Sequence, residues 1–172
     1  MPDHSVRYTT FWDGTETWDN PSDPNAVLLV QVVRPLVSGA VIGLRFLRAP
    51  TDDAVHLGVI RHTSTYEYQR VFLFKDWGAP PSPTWQSTYF KPEYRIAANE
   101  RVQIGVIFGA GDYYRILHYS DGGDVTHGNL VLDNLEEFGA PSGAFNYDIL
   151  DYATSSYLNS AYGIDVIFRE DP

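Results

Sequence analysis

From Val27 onward, apolar positions fall in short runs rich in Val, Ile, Phe and Tyr, separated by Gly, Pro, Asp and Ser. That punctuation predicts strands and turns. Within Arg101 to Phe108, the side chains of Val102, Ile104, Val106 and Phe108 fall on one face and Arg101 and Gln103 on the other, the period of two of a half-buried antiparallel strand. The same alternation turns Tyr162, Ile164, Val166 and Phe168 inward with Asp165 outward, and sets Ala40, Ile42, Leu44 and Phe46 opposite Arg45. Further strands are predicted over Val27 to Val33, Val55 to Arg61, Tyr66 to Phe74, Trp85 to Phe90, Tyr113 to His118 and Val125 to Leu132. A helical period is never sustained, although Asp133 to Phe138 (DNLEEF) could close a single turn. With no βαβ unit, the expected fold is all-β: an antiparallel two-sheet jelly-roll sandwich.

Residues 1 to 26 lack this alternation and mix aromatics with turn formers, as in FWDGTETWDNPSDPNA, so they read as an ordered N-terminal loop or arm. The sandwich is then expected over 27–172, and the 172 residues form a single domain.

Charge narrows the choice of partners. Twelve Lys and Arg against 22 Asp and Glu give a net charge of -10, which repels nucleic acid and anionic lipid alike. Apolar runs fall well short of a membrane span, so membrane insertion is not expected. Cysteine is absent, which removes disulfides and thiolate metal sites. The N-terminal MPDHSVRYTTFWDG carries no export signal.

Four segments in order carry a family resemblance: Gly43, Leu44, Arg45 and Phe46; Trp85 and Gln86; the PSGAFNY run at Pro141 to Tyr147; and the closing YGIDVIF at Tyr162 to Phe168. In these the chain resembles a bacterial family of jelly-roll domains of unknown function, which recur in large secreted and cell-surface proteins beside carbohydrate-active or adhesive domains. The resemblance implies the fold and a role as the accessory module of a secreted enzyme. Without an export signal, the expectation shifts to a phage virion component, a minor tail or capsid decoration protein made in the host cytoplasm, which contacts other virion proteins or copies of itself and binds host-surface glycans. A freestanding lectin-like module at the cell surface, or an accessory domain of a glycan-processing enzyme, are the alternatives.

Candidate chemistry is sparse. His118, Asp121, Asp124 and His127 recur every third residue and offer weak metal-ligand candidates, but Gly122 and Gly123 between them read as a hairpin turn. Asp13, Glu16, Asp19 and Asp23 surround Trp12 and Trp18 without a calcium-loop pattern. No cofactor or metal is therefore expected. His56 and His62 have the spacing of one strand face, Glu136 and Glu137 sit on a surface turn, and GAGDYY at Gly109 to Tyr114 is a lone glycine pair. Hydrolase, zincin and P-loop signatures are missing, so no enzymatic activity is expected. The loop tryptophans Trp12, Trp18 and Trp77 are candidate binding residues, as interface anchors or sugar platforms, whereas Trp85, inside a strand, is assigned to the core. Arg45 and Asp165 are expected to pair as structural partners, with a polar ligand site on the sheet's outer face as the competing reading.

Overall fold

A computed structural model of the chain describes residues 8–50, 52, 54–63, 68–74, 78–109, 111–119, 121, 123–134, 143–149, 153, 155 and 157–172. Among them there is no helix. The strands are β1 (Tyr8–Thr9), β2 (Ser22–Asp23), β3 (Val27–Pro35), β4 (Gly39–Arg48), β5 (Leu57–His62), β6 (Tyr68–Leu73), β7 (Thr84–Ile96) and β8 (Val102–Phe108). They continue as β9 (Gly111–Asp112), β10 (Arg115–Ile116), β11 (Val125–His127), β12 (Leu130–Leu132), β13 (Gly143–Asn146), β14 (Ala161–Tyr162) and β15 (Ile164–Glu170).

Two principal antiparallel sheets form. One runs β1-β15-β4-β7; the other runs β11-β12-β3-β8-β5-β6, with β13 beside β3 on the edge that β12 also uses. The chain crosses between sheets from β3 to β4 and back to β5, turns into β6, crosses to β7, and crosses back to β8. Local turns therefore cannot set most pairings, and the apolar faces must.

Leu44 and Phe46 of β4 and Ile164, Val166 and Phe168 of β15 meet Leu29 and Val33 of β3, Ile60 of β5, and Ile104, Val106 and Phe108 of β8 in one buried cluster. Phe46 is a junction of this core, with the rings of Phe74, His56 and Phe108 edge-on to it at 4.7, 5.0 and 5.5 Å. Edge-to-face pairs of this kind add to what burial of the rings contributes. The alternation expected for Arg101 to Phe108 is realised, but the reverse face of the larger sheet is covered over β3, β8 and β5. Leu28, Val30 and Val59 pack there with Ala144 and Ala153, and Gln103 is buried.

Where the strands depart from the sequence expectation, backbone chemistry explains it. Val125 to Leu132 is a hairpin rather than one strand: His127 pairs with Leu130 across Gly128 and Asn129, and Gly128 takes a φ of 58°. Positive φ at the first central residue is what a two-residue hairpin turn requires. The turn after His118 joins no hairpin, because β10 pairs with β14 and β11 with β12. Tyr113 to His118 keeps only Arg115–Ile116 as strand. Ile42 does not join the inward set: the register shifts between Val41 and Gly43 against β7, so Val41 enters the core and Ile42 is left half-exposed. Most of DNLEEF lies outside the described residues.

The N-terminal arm is the largest correction. Residues 1–7 lie outside the described residues, and Tyr8 and Thr9 form a strand rather than a loop, β1, paired with the end of β15. Phe11 and Trp12 then enter the core cluster, Trp12 with 1% of its surface exposed. The Trp12 ring stands edge-on to Phe11, Trp18 and Tyr119. Turn formers in the surrounding sequence masked this anchoring, since burial of an isolated aromatic leaves no periodic signal. Replacement Trp12→Ala should cost about 3–5 kcal/mol of folding free energy in a denaturant titration, the range for a fully buried large aromatic.

Candidate functional site

The outer face of the four-stranded sheet is assembled by register. On β7, Trp85, Ser87 and Tyr89 alternate outward, while Gln86 points inward opposite Phe46. Across β4 and β15 they align into three rows. Trp85 faces Leu47, Ser87 faces Arg45 and then Asp165, and Tyr89 faces Gly43 and then Ile167.

In the middle row, Arg45 donates from Nε and Nη2 to Asp165 Oδ2 at 3.0 and 2.7 Å, and also to the Trp12 carbonyl. The Asp165 side chain has no exposed surface and also accepts from the backbone N–H groups of Phe11, Trp12 and Val166 at 2.8, 3.0 and 2.8 Å. Outward-facing does not mean solvated here, because the arm lies over the carboxylate. Burial pushes the Asp165 carboxyl up to about 6, while the guanidinium and the Phe11 and Trp12 N–H groups pull the other way. The Trp12 indole adds a bond from Nε1 to the Ile164 carbonyl at 2.8 Å.

The first row is closed over. Leu47, Ala49 and Tyr114 form a small cluster with Trp18 and Trp85 against it, and the Arg45 guanidinium lies over the Trp85 ring at 4.5 Å from its centre. Trp85 is thus half-buried on the outer face, packed against the margin of the main cluster rather than inside it.

The third row is open. Thr10, Ile42, Arg45, Ser87, Tyr89 and Ile167 line a groove of about 590 Å³. Tyr89 leaves 67% of its surface in water. Gly43 keeps the floor low between Tyr89 and Ile167: a Cβ there would meet the Thr88 carbonyl oxygen at 2.4 Å and Ile167 Cδ1 at 3.2 Å. Among the described residues, nothing bonds to Ser87 Oγ, the Tyr89 hydroxyl or Arg45 Nη1. A smaller cavity of about 310 Å³ adjoins through Ser87 and Trp85, lined also by Arg48, Gly78, Pro80, Thr84 and Gln86.

The other singled-out residues are dispersed. His118 pairs with Asp121 at 2.9 Å on the surface. Asp124 instead takes Arg34 and the Asn134 N–H, and His127 donates to the Phe11 carbonyl. Among the described residues, no three His, Cys, Asp or Glu side chains converge as for a metal ion. Asp13 and Glu16 bond to their own turn, Asp19 to Arg115, and Asp23 to the Tyr147 hydroxyl. Trp77, Glu136, Glu137 and Gly122 lie outside the described residues. Trp18 is half-buried against Trp12 and Trp85, so neither it nor Trp12 is an exposed loop platform. His56 is buried before β5, hydrogen-bonded to Asp52 at 2.6 Å, and Arg48 clamps the same turn through the carbonyls of Asp52 and Ala54.

Sequence reasoning missed Ser87 and Tyr89. The usable signal was the outward triplet Trp85-Ser87-Tyr89, which carries meaning only once β7 is known to lie beside Arg45. Comparison with known proteins adds no assignment: no family model matches the chain, and no curated protein matches it.

Arg45→Met should cost about 3–5 kcal/mol at pH about 9, because it strands a buried carboxylate, and adding Asp165→Asn should return part of that loss. Burial pushes the Asp165 carboxyl up to about 6 even with the guanidinium beside it, and further without it, so the cost of Arg45→Met should shrink as pH falls toward about 6, where the stranded group takes up a proton. Denaturant titrations of the four-member cycle at pH about 9 and at pH about 5 measure both effects.

Proposed function

We propose that this chain is a non-catalytic recognition module, a jelly-roll sandwich that binds glycan in the groove on the outer face of its four-stranded sheet. The observation that carries this reading is the exposed Tyr89 ring in a concave site beside hydroxyl and guanidinium groups with unspent hydrogen-bonding capacity. Sugars have apolar C–H faces that stack on such rings and hydroxyls that need in-plane partners. Ile42 and Ile167 supply further apolar contact, and Thr10, Ser87 and Arg45 supply the polar partners. The site sits on paired strands rather than on a long loop, which holds these groups in place before any ligand arrives.

The test is a glycan array followed by titration calorimetry on the best ligand. Tyr89→Ala should weaken binding about tenfold or more, on the scale of a lost stacking platform, and leave thermal stability unchanged. Equal affinity of the variant would remove the groove from the reading.

A second reading is a structural part of a phage virion, in a tail or as a capsid decoration. One observation favours it: Val55, Val71 and Leu73 are exposed, and β6, which carries two of them, ends the order of the larger sheet. Apolar residues on an edge strand suit burial against another subunit. Light scattering on the isolated chain should then give a defined oligomer, and Val71→Lys should reduce it to monomer. A monomer at all concentrations would leave glycan recognition alone.

A further inference from the structure

We propose that the groove selects uncharged glycans and rejects acidic ones, an inference that rests on the glycan-binding reading above. Among the described residues that line the groove, Arg45 is the one cation. That charge is already committed. Nε and Nη2 both bond to Asp165, whose side chain has no exposed surface. An anionic ligand that drew the guanidinium toward itself would take it from that carboxylate and leave a charge buried without its counter-ion, among the costliest arrangements a protein can hold. A neutral hydroxyl asks for less. It can accept from Arg45 Nη1, for which the described residues hold no acceptor, while the Asp165 bonds persist.

The guanidinium is also held in place from its face. It lies 4.5 Å from the centre of the Trp85 ring, and Nη2 bonds to the Trp12 carbonyl, so it cannot swing outward without losing both contacts. The remaining polar groups of the groove, on Thr10, Ser87 and Tyr89, are hydroxyls. Those of Ser87 and Tyr89 can donate and accept, as sugar hydroxyls do, whereas the Thr10 hydroxyl donates to the Trp12 carbonyl and keeps its lone pairs for a ligand; none carries a charge to reward a carboxylate or sulfate.

Two arginines of this sheet are paired as well. Arg169 bonds to Glu93 and Arg95 to Asp171. Lys91 follows Tyr89 by two residues but does not line the groove. At a net charge of -10 the chain as a whole repels acidic ligands before contact.

The experiment is an array carrying neutral glycans together with sialylated, uronic and sulfated ones, read at low and high salt. The expected result is signal on neutral glycans only, unchanged by salt, because no ion pair forms with the ligand. Ser87→Ala and Tyr89→Ala should each lower that signal without a shift in melting temperature. Preference for acidic glycans, with signal lost at high salt, would overturn the charge selectivity while leaving glycan recognition standing. Silence across the whole array would overturn the glycan reading and this inference with it.

Discussion

The Asp165 carboxylate organises more of this molecule than any other polar group. It lies in β15, opposite Arg45 of β4, and it accepts from the backbone of Phe11 and Trp12 in the N-terminal segment. Three stretches of chain are thereby held at one point, with Arg45 33 residues after Trp12 and 120 before Asp165. Burying a carboxylate is expensive, and it is tolerated here because several donors converge on it, guanidinium and backbone together. Specificity follows from that cost. A slipped register of β15 against β4 would bury the charge without its partner, so the ion pair penalises wrong pairings as well as joining the right one.

That same arrangement decides which part of the outer face stays open. The segment running from β1 to Trp18 covers Asp165, and Trp18 closes over Trp85, but Tyr89 stays exposed. Thr10 forms one wall of what remains. The groove is therefore bounded by the arm rather than being a bare sheet surface. An arm that failed to dock would lose that wall and uncover the carboxylate at once. Fold stability and the shape of the site share a set of contacts.

How much of this was legible in the sequence depended on periodicity. β8 and β15 alternate cleanly, and the structure places their inward residues in one core. Period two fails where the backbone adds residues, so Ile42 was assigned to the core and lies on the outer face instead. It is also blind to cover. Asp165 and Gln103 were correctly set on faces away from the main core, but a strand pattern cannot say whether another segment lies over that face. Trp12 failed for the complementary reason: its neighbours are turn formers, and its burial comes from a docking event that no local window contains. The groove was illegible because it is a product of register. Ser87 and Tyr89 are unremarkable until β7 is laid beside β4.

Polar clusters elsewhere in the molecule clarify why this groove stands apart. Asp133 is buried between Arg34 and Arg101, which reach it at 2.8 and 2.7 Å, and Arg34 continues to Asp124. Arg48, Asp52, His56 and Gln86 form a second knot, in which the guanidinium takes two backbone carbonyls and the Gln86 side chain. Both clusters direct their hydrogen bonds inward, to carboxylates and carbonyls that hold β-strand ends and turns in place. Among the described residues, His56 Nδ1 lacks a partner there, and it is enclosed against the rings of Phe46 and Phe108. The groove reverses that logic. Its buried charge is compensated from behind by Asp165, while Ser87, Tyr89 and the outer edge of Arg45 keep their capacity on the solvent side. Saturation behind with capacity in front allows a group from outside to be bound without the loss of a bond that the fold requires.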